Sequence, residues 1–287
     1  MEIKRYQFDG TKDYDRIRFD PSDTGDYTCK VEAANKLKQN LQKLRELQDR
    51  LYAEGKEGVL IIFQAMDAAG KDGAVKHVMS GVNPQGIDVF SFKQPCAEEL
   101  AHDYLWRCVP KLPARGKLCI FNRSYYEDVL IGRVHKLYER YNLPDRCKGD
   151  GVIEQRYRQI VNFEEYLWEN GIRTVKFYLD ISKEEQKERF LKRIDDKSKN
   201  WKFSQADVNE RQYWDEYQRA YEDAINATAT KHAPWYVVPS NKKWYARLVV
   251  SEVLIRVLRD INPQYPTLPP ESGEMLLRCR QELLNER

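Results

Sequence analysis

The segment VLIIFQAMDAAGKDGAVKHV, residues 59–78, most narrows what this chain can fold into. VLIIF (59–63) is rich in branched apolar side chains, the composition of a strand buried on both faces. Small residues and Gly70 follow, and a helix is expected to open around Lys71. A strand that feeds a helix through such a loop builds an anion cradle from the backbone N–H groups at the helix start. The loop departs from the pattern G-x-x-x-x-G-K-[ST] at two positions, with Ala65 for the first glycine and Asp72 for the hydroxyl residue. Ala65 carries only a methyl group and fits if its φ is negative, so the cradle survives the change. Ala65, Met66, Ala68, Ala69, Gly70, Asp72 and Gly73 are candidate phosphate-binding positions, and Lys71 supplies a charge for bound phosphate.

Asp67 lies inside that loop. A carboxylate about 4 Å from a phosphate charge is unfavourable by about 4 kcal/mol at an effective dielectric of about 20. A divalent cation between them reverses the sign, so Asp67 is a candidate Mg2+ ligand. The plainer alternative is that Asp67 and Asp72 stabilise a helix N-terminus.

Further strands are expected at 88–92, 117–121, 174–179 and 235–238. Helices are expected at 30–54, 98–109, 152–169, 183–196, 205–230 and 243–259. Leu37, Leu41, Leu44, Leu47 and Leu51 step by three or four through the first helix. Alternating strands and helices imply a mostly parallel, five-stranded sheet covered on both faces, with ligands at the carboxyl ends of the strands. Residues 1–28 are polar and turn-rich and are expected as a surface arm. The domain is placed at 29–262, followed by a proline-rich connector and a short charged helix over 263–287.

KLCIFNRSYYEDVLIGRVH (117–135) is a second strand running into polar residues. Asn122 stands where nucleotide-binding α/β folds often place a second acid. Arg123 can clamp phosphate bidentately, and Glu127 and Asp128 follow. In a third motif Ser182 and Glu185 form a capping box, and Arg189 and Arg193 share one helix face. Residues 181–203 hold eight Lys/Arg, among them Lys197, Lys199 and Lys202, against five Asp/Glu. A second cap, Ser204 with Asp207, opens the next helix. This basic hairpin, about 183–213, reads as a mobile lid, the element that supplies charge and excludes water in phosphoryl transfer. An ordinary solvated helix face is the alternative. Trp214, Tyr217 and Tyr221 read as core packing.

The stretches AMDAAGKDG, FNRSYYEDVL and RFLKRIDDKSKNWKFSQADVNERQYWDEY, in this order and spacing, resemble the polyphosphate kinase 2 family over roughly residues 30–260. The resemblance implies a three-layer α/β/α P-loop kinase fold with a helical lid. It also implies transfer of the terminal phosphoryl group of inorganic polyphosphate to nucleoside mono- and diphosphates, reversibly and with Mg2+ (Mn2+ as a substitute). By position, Asp67 is then a metal ligand, Lys71 a phosphate ligand, and Arg123, Arg189 and Arg193 phosphate clamps. Many members have Asp where this chain has Asn122, and the form FNRS-x-YED resembles the branch accepting both AMP and ADP. In that branch Glu127 and Asp128 help set metal position or acceptor choice, and Asn122 leaves the second metal arrangement open. Arg133, Lys136 and Arg211 are further candidates for the polyphosphate path. The resemblance also suggests a homo-oligomer.

Two rival readings remain at this level: an ATP-dependent nucleoside or nucleoside-monophosphate kinase, and a non-catalytic polyanion-binding module. A regulatory subunit without chemistry is disfavoured by the intact Lys and Arg set. The net charge of +3 is too small to argue for nucleic acid. MEIKRYQFDG lacks the apolar core of a secretory signal, and no apolar run approaches the about 18 residues of a membrane span. The six cysteines form no C-x-x-C and read as reduced thiols, so a cytoplasmic protein without membrane contact is expected.

Overall fold

The computed structural model describes residues 2–286. Its strands are β1 (Gln7–Phe8), β2 (Gly58–Gln64), β3 (Ile87–Ser91), β4 (Leu118–Asn122), β5 (Ile172–Asp180) and β6 (Trp235–Pro239). The helices are α1 (Lys30–Glu54), α2 (Lys71–Val78), α3 (Ala97–Leu100), α4 (Ile131–Val134), α5 (Leu137–Arg140) and α6 (Val152–Glu169). They continue with α7 (Lys183–Asp195), α8 (Gln205–Asn209), α9 (Trp214–Thr228), α10 (Lys243–Ile261) and α11 (Pro270–Asn285). No helix is long and apolar enough to cross a membrane among the described residues.

The sheet has six strands, not the five expected, in the order β1-β6-β5-β2-β4-β3. The five expected strands are parallel and lie within two residues of their expected bounds. The additional strand, β1, pairs antiparallel with the edge of β6, Gln7 opposite Tyr236. It escapes notice because two residues carry no periodicity; its register is fixed by side chains instead. Tyr6, Phe8 and Tyr14 of the expected surface arm are buried. Phe8 and Tyr14 meet edge to face at 5.4 Å, and the Tyr6 and Tyr245 hydroxyls lie 2.7 Å apart.

β2 and β4 are apolar and buried along nearly their whole length, as central parallel strands require. The leucine stripe of α1 packs on α10, with Leu44 and Leu51 fully buried; each such side chain contributes about 1.5–3 kcal/mol. The helix stops at Gly55, whose φ of 64° closes the last turn onto the Leu51 carbonyl.

Two expected helices are broken. The 98–109 helix shrinks to α3 because the Asp103 carboxylate takes the Leu105 N–H at 2.9 Å, an alternative that competes with the helix. The 205–230 helix is split into α8 and α9 by a 3-10 turn at Glu210–Tyr213. There the Glu210 carboxylate holds both His135 (2.9 Å) and Tyr217 (2.7 Å), a tertiary demand that overrides local propensity.

Candidate active site

The carboxyl ends of β2 and β4 lie side by side, with Phe63 opposite Asn122. β2 sends its chain toward β3 on one side while β5 flanks it on the other, the kind of position where α/β sheets bind ligands. An open cleft of about 1050 Å³ lies there.

The loop 65–70 forms one wall. Gly70 (φ 114°) caps α2, and Ala68 adopts φ 62°, the left-handed region an alanine rarely enters. The N–H groups of Lys71, Asp72 and Gly73 begin the helix and meet no protein acceptor among the described residues. The Lys71 ammonium folds back onto the Ala65 carbonyl (2.7 Å) and the Met66 carbonyl (3.5 Å). Burial pushes its pKa down, and the nearby Asp67 charge opposes that shift.

Arg123 sits at the end of β4 with φ 64°, its N–H donating to the Phe63 carbonyl at 3.0 Å. Its guanidinium reaches Asp67 at 3.0 Å and Glu127 at 3.5 Å. Burial raises the Glu127 carboxyl, with the Arg123 and Lys71 charges acting against it. In the amide orientation that satisfies both its ends, Gln64 donates to Glu127 at 2.8 Å and accepts from Ser124. Asn122 donates its amide N–H to Asp72 at 2.8 Å, joining β4 to the first turn of α2.

The Tyr125-Tyr126 pair anchors this segment from behind. Both hydroxyls donate to Glu164, at 2.9 and 3.0 Å. Glu164 in turn pairs with the buried Lys176 ammonium at 2.5 Å.

The lid α7–α8 closes another side. Gln186 links it to the loop by donating to the Asp67 carbonyl (3.0 Å), and Arg211 donates to Gln186 (2.5 Å). Arg211, expected on the polyphosphate path, is thus held within the lid base. Arg193 lines the cleft and faces Asp207 at 3.7 Å.

Of the candidate site residues, Asp67, Ala68, Ala69, Gly70, Lys71, Asp72, Gly73, Asn122, Arg123, Arg189 and Arg193 all line the cleft. Ala65, Met66 and Glu127 line a small adjoining cavity of about 60 Å³. Four further expected residues lie elsewhere. Asp128 turns to Arg156 at 3.2 Å, and Arg156 also holds the Asp128 carbonyl. Arg133 pairs with Asp223 on α9 at 2.6 Å. Lys197 is exposed on a 3-10 turn and is not part of the cleft wall. Arg189 lines the cleft, but the protein already engages every one of its N–H donors. Lys136 is exposed and likewise outside the cleft wall.

Sequence reasoning missed Lys93, Lys192, Lys243 and Arg247, which add positive charge to the cleft wall. Lys243 and Arg247 sit four apart in the first turns of α10, just after the last strand. That placement after a strand end was the available signal.

Among the described residues no group of three or more His, Cys, Asp or Glu side chains gathers as a metal cage. Mg2+ commonly takes one or two carboxylates and completes its shell with water and substrate phosphates. Asp67, part-exposed at the cleft and beside Glu127 across Arg123, offers that donor set. These residues fit a cation arriving with phosphates, not one caged by protein alone.

The Polyphosphate kinase 2 family model matches residues 28–266. The chain is 49% identical over 260 residues, 90% of each sequence, to an ADP-polyphosphate phosphotransferase of Rhodopseudomonas palustris. It is 46% identical over 279 residues to an AMP/ADP-polyphosphate phosphotransferase of Meiothermus ruber, covering 96% of this chain and 99% of that one. The crystal structure of Polyphosphate Kinase 2 from Arthrobacter aurescens TC1 superposes with a TM-score of 0.84 at 42% identity over 92% of both chains.

Proposed function

This chain belongs to the polyphosphate kinase 2 family, and from that premise we propose how its cleft works. The protein is a polyphosphate-dependent nucleotide phosphotransferase: it moves the terminal phosphoryl group of inorganic polyphosphate to AMP and ADP, giving ADP and ATP. The observation that carries the mechanism is the meeting of Asp67, Lys71 and Arg123 at the ends of adjacent parallel strands.

A terminal phosphate oxygen of the nucleotide attacks the end phosphorus of polyphosphate in line. The new P–O bond forms as the anhydride P–O bond breaks, and polyphosphate leaves one unit shorter as an anion. The attacking oxygen is already ionised near neutral pH, so no general base is required, and the same geometry runs the reaction backwards. Catalysis rests on positioning and on cationic groups around the transferred phosphoryl. The α2 N–H groups and Lys71 hold one phosphate, and Arg123 reaches the phosphate opposite. The basic wall of Lys93, Lys243 and Arg247 suits a substrate whose only recognisable feature is repeated negative charge. Asp67, with Glu127 nearby, would hold Mg2+ (or Mn2+ in its place), which would supply positive charge to offset the repulsion between two polyanions. The lid 183–213 closes over a three-layer P-loop kinase core, in a cytoplasmic homo-oligomer.

The test is to incubate the protein with polyphosphate and AMP, and separately ADP, without ATP, with and without Mg2+. ADP and ATP are expected only with Mg2+. Product from ATP plus a nucleoside or nucleoside monophosphate but none from polyphosphate would favour the ATP-dependent kinase reading instead.

A further inference from the structure

Arg189 stands on the lid helix α7 where it crosses the phosphate loop, and its side chain is 5% exposed. A guanidinium has five N–H donors. In Arg189 all are engaged. Nη1 donates to the Ala68 carbonyl at 2.9 Å and the Ala69 carbonyl at 2.6 Å. Nη2 donates to the Ser240 carbonyl at 2.5 Å and the Asn241 carbonyl at 3.1 Å. Nε donates to Glu185 at 2.9 Å. No donor remains for a phosphate.

A second observation meets the first at one peptide. Ala68, whose carbonyl Arg189 grips, holds φ 62°. A residue with a Cβ stays in the left-handed region only where its surroundings over-determine it. The grip also neutralises two carbonyl oxygens that would otherwise repel an incoming anion.

We propose that Arg189 is a positioning residue, not a phosphate ligand: it holds the Ala68 peptide in its left-handed shape and ties loop, lid helix and the Ser240–Asn241 turn to one anchor. The inference rests on the cleft being the site of phosphoryl transfer.

A double-mutant cycle tests it. Arg189→Met is expected to lower kcat with polyphosphate and ADP about 100-fold in the natural loop, but only about 10-fold in the Ala68→Gly protein, because glycine adopts a left-handed φ unaided. Ala68→Gly should also raise the Tm of Arg189→Met more than it raises the Tm of the natural protein. A residue that touches phosphate predicts the same fold-loss in both loops and equal Tm increments, and that result overturns the proposal. Should Arg189→Met not fold, Glu185→Ala decides by the same criterion. It loosens one of the five contacts from a part-exposed position, and its expected loss of about fivefold in kcat should vanish with Ala68→Gly. If the natural protein transfers nothing from polyphosphate, the functional reading fails, while the Tm cycle still decides the role of Arg189.

Discussion

Lys176 and Lys71 are both drawn out of water, and burial pushes both toward the neutral amine. Lys176, fully buried on β5, meets the Glu164 carboxylate at 2.5 Å, the Tyr126 hydroxyl at 3.1 Å and the Thr228 carbonyl at 2.8 Å. Each of its three N–H donors has a partner, and a full counter-charge lies among them. Lys71 has two backbone carbonyls and no ion pair among the described residues. The nearby acids, Asp67 and Glu127, are engaged by Arg123. The core network is closed, whereas the Lys71 ammonium has no carboxylate at ion-pair distance among the described residues. Two similar lysines therefore do different things: one fixes the position of the Tyr125-Tyr126 segment, the other is left with charge to offer a phosphate.

The sharpest way to break this contrast is Lys176→Met. It leaves Glu164 buried without its cation, and a loss of about 3–5 kcal/mol in unfolding free energy is expected by denaturant titration. Adding Glu164→Leu should recover part of that loss. A Lys176→Met protein as stable as the natural one would mean that the network is not closed. Lys71→Met should do the opposite. Transfer from polyphosphate is expected to fall 10²–10³-fold, about 3–4 kcal/mol, while the denaturant midpoint holds or rises. A fall in that midpoint as large as for Lys176→Met would erase the distinction.

The acids sharpen it further. Asp67→Asn should lower turnover about 100-fold, about 2.7 kcal/mol, and raise the Mg2+ concentration at half-maximal rate. Unchanged Mg2+ dependence would remove Asp67 as the ligand. Asp180, buried at the end of β5, forms no ion pair among the described residues; burial lifts its carboxyl to about 7, with the Tyr14 and Tyr178 hydroxyls acting against the shift. The folded state thus binds this proton more tightly than the unfolded chain. The stabilisation is complete below the unfolded value near 4 and is lost as pH rises toward 7. Between pH 5 and pH 7 that loss is about 2 kcal/mol, and Asp180→Asn should flatten the stability profile over that window. A profile equally steep in the variant would assign the proton to another group.

The central strands, the loop and most helix positions were legible because each is written locally, in branched apolar runs and leucine spacing. The cleft-lining stretch 67–73 with Asn122 and Arg123 was legible for the same reason: its residues follow strands directly. What is settled only by long-range contact was not. Lys176 lies in an apolar run, TVKFYL, whose partner Glu164 stands on another element. Arg189 looks like any basic lid residue until the carbonyls of 68, 69, 240 and 241 surround it. Asp128 and Arg133 sit beside functional residues in sequence yet point to Arg156 and Asp223, choices that only the packing of α6 and α9 determines.

The pairing of β1 with β6 joins Phe8 to Trp235. On the ribosome the first of these strands emerges long before its neighbour exists. At about 5–20 residues per second, that is a wait of roughly 10–45 s. Throughout it Tyr6, Phe8 and Tyr14 have only one another and Phe19 as native aromatic partners, without Tyr178, β6 or Tyr245, so this segment is exposed to chaperones and to misassembly while the later elements are made.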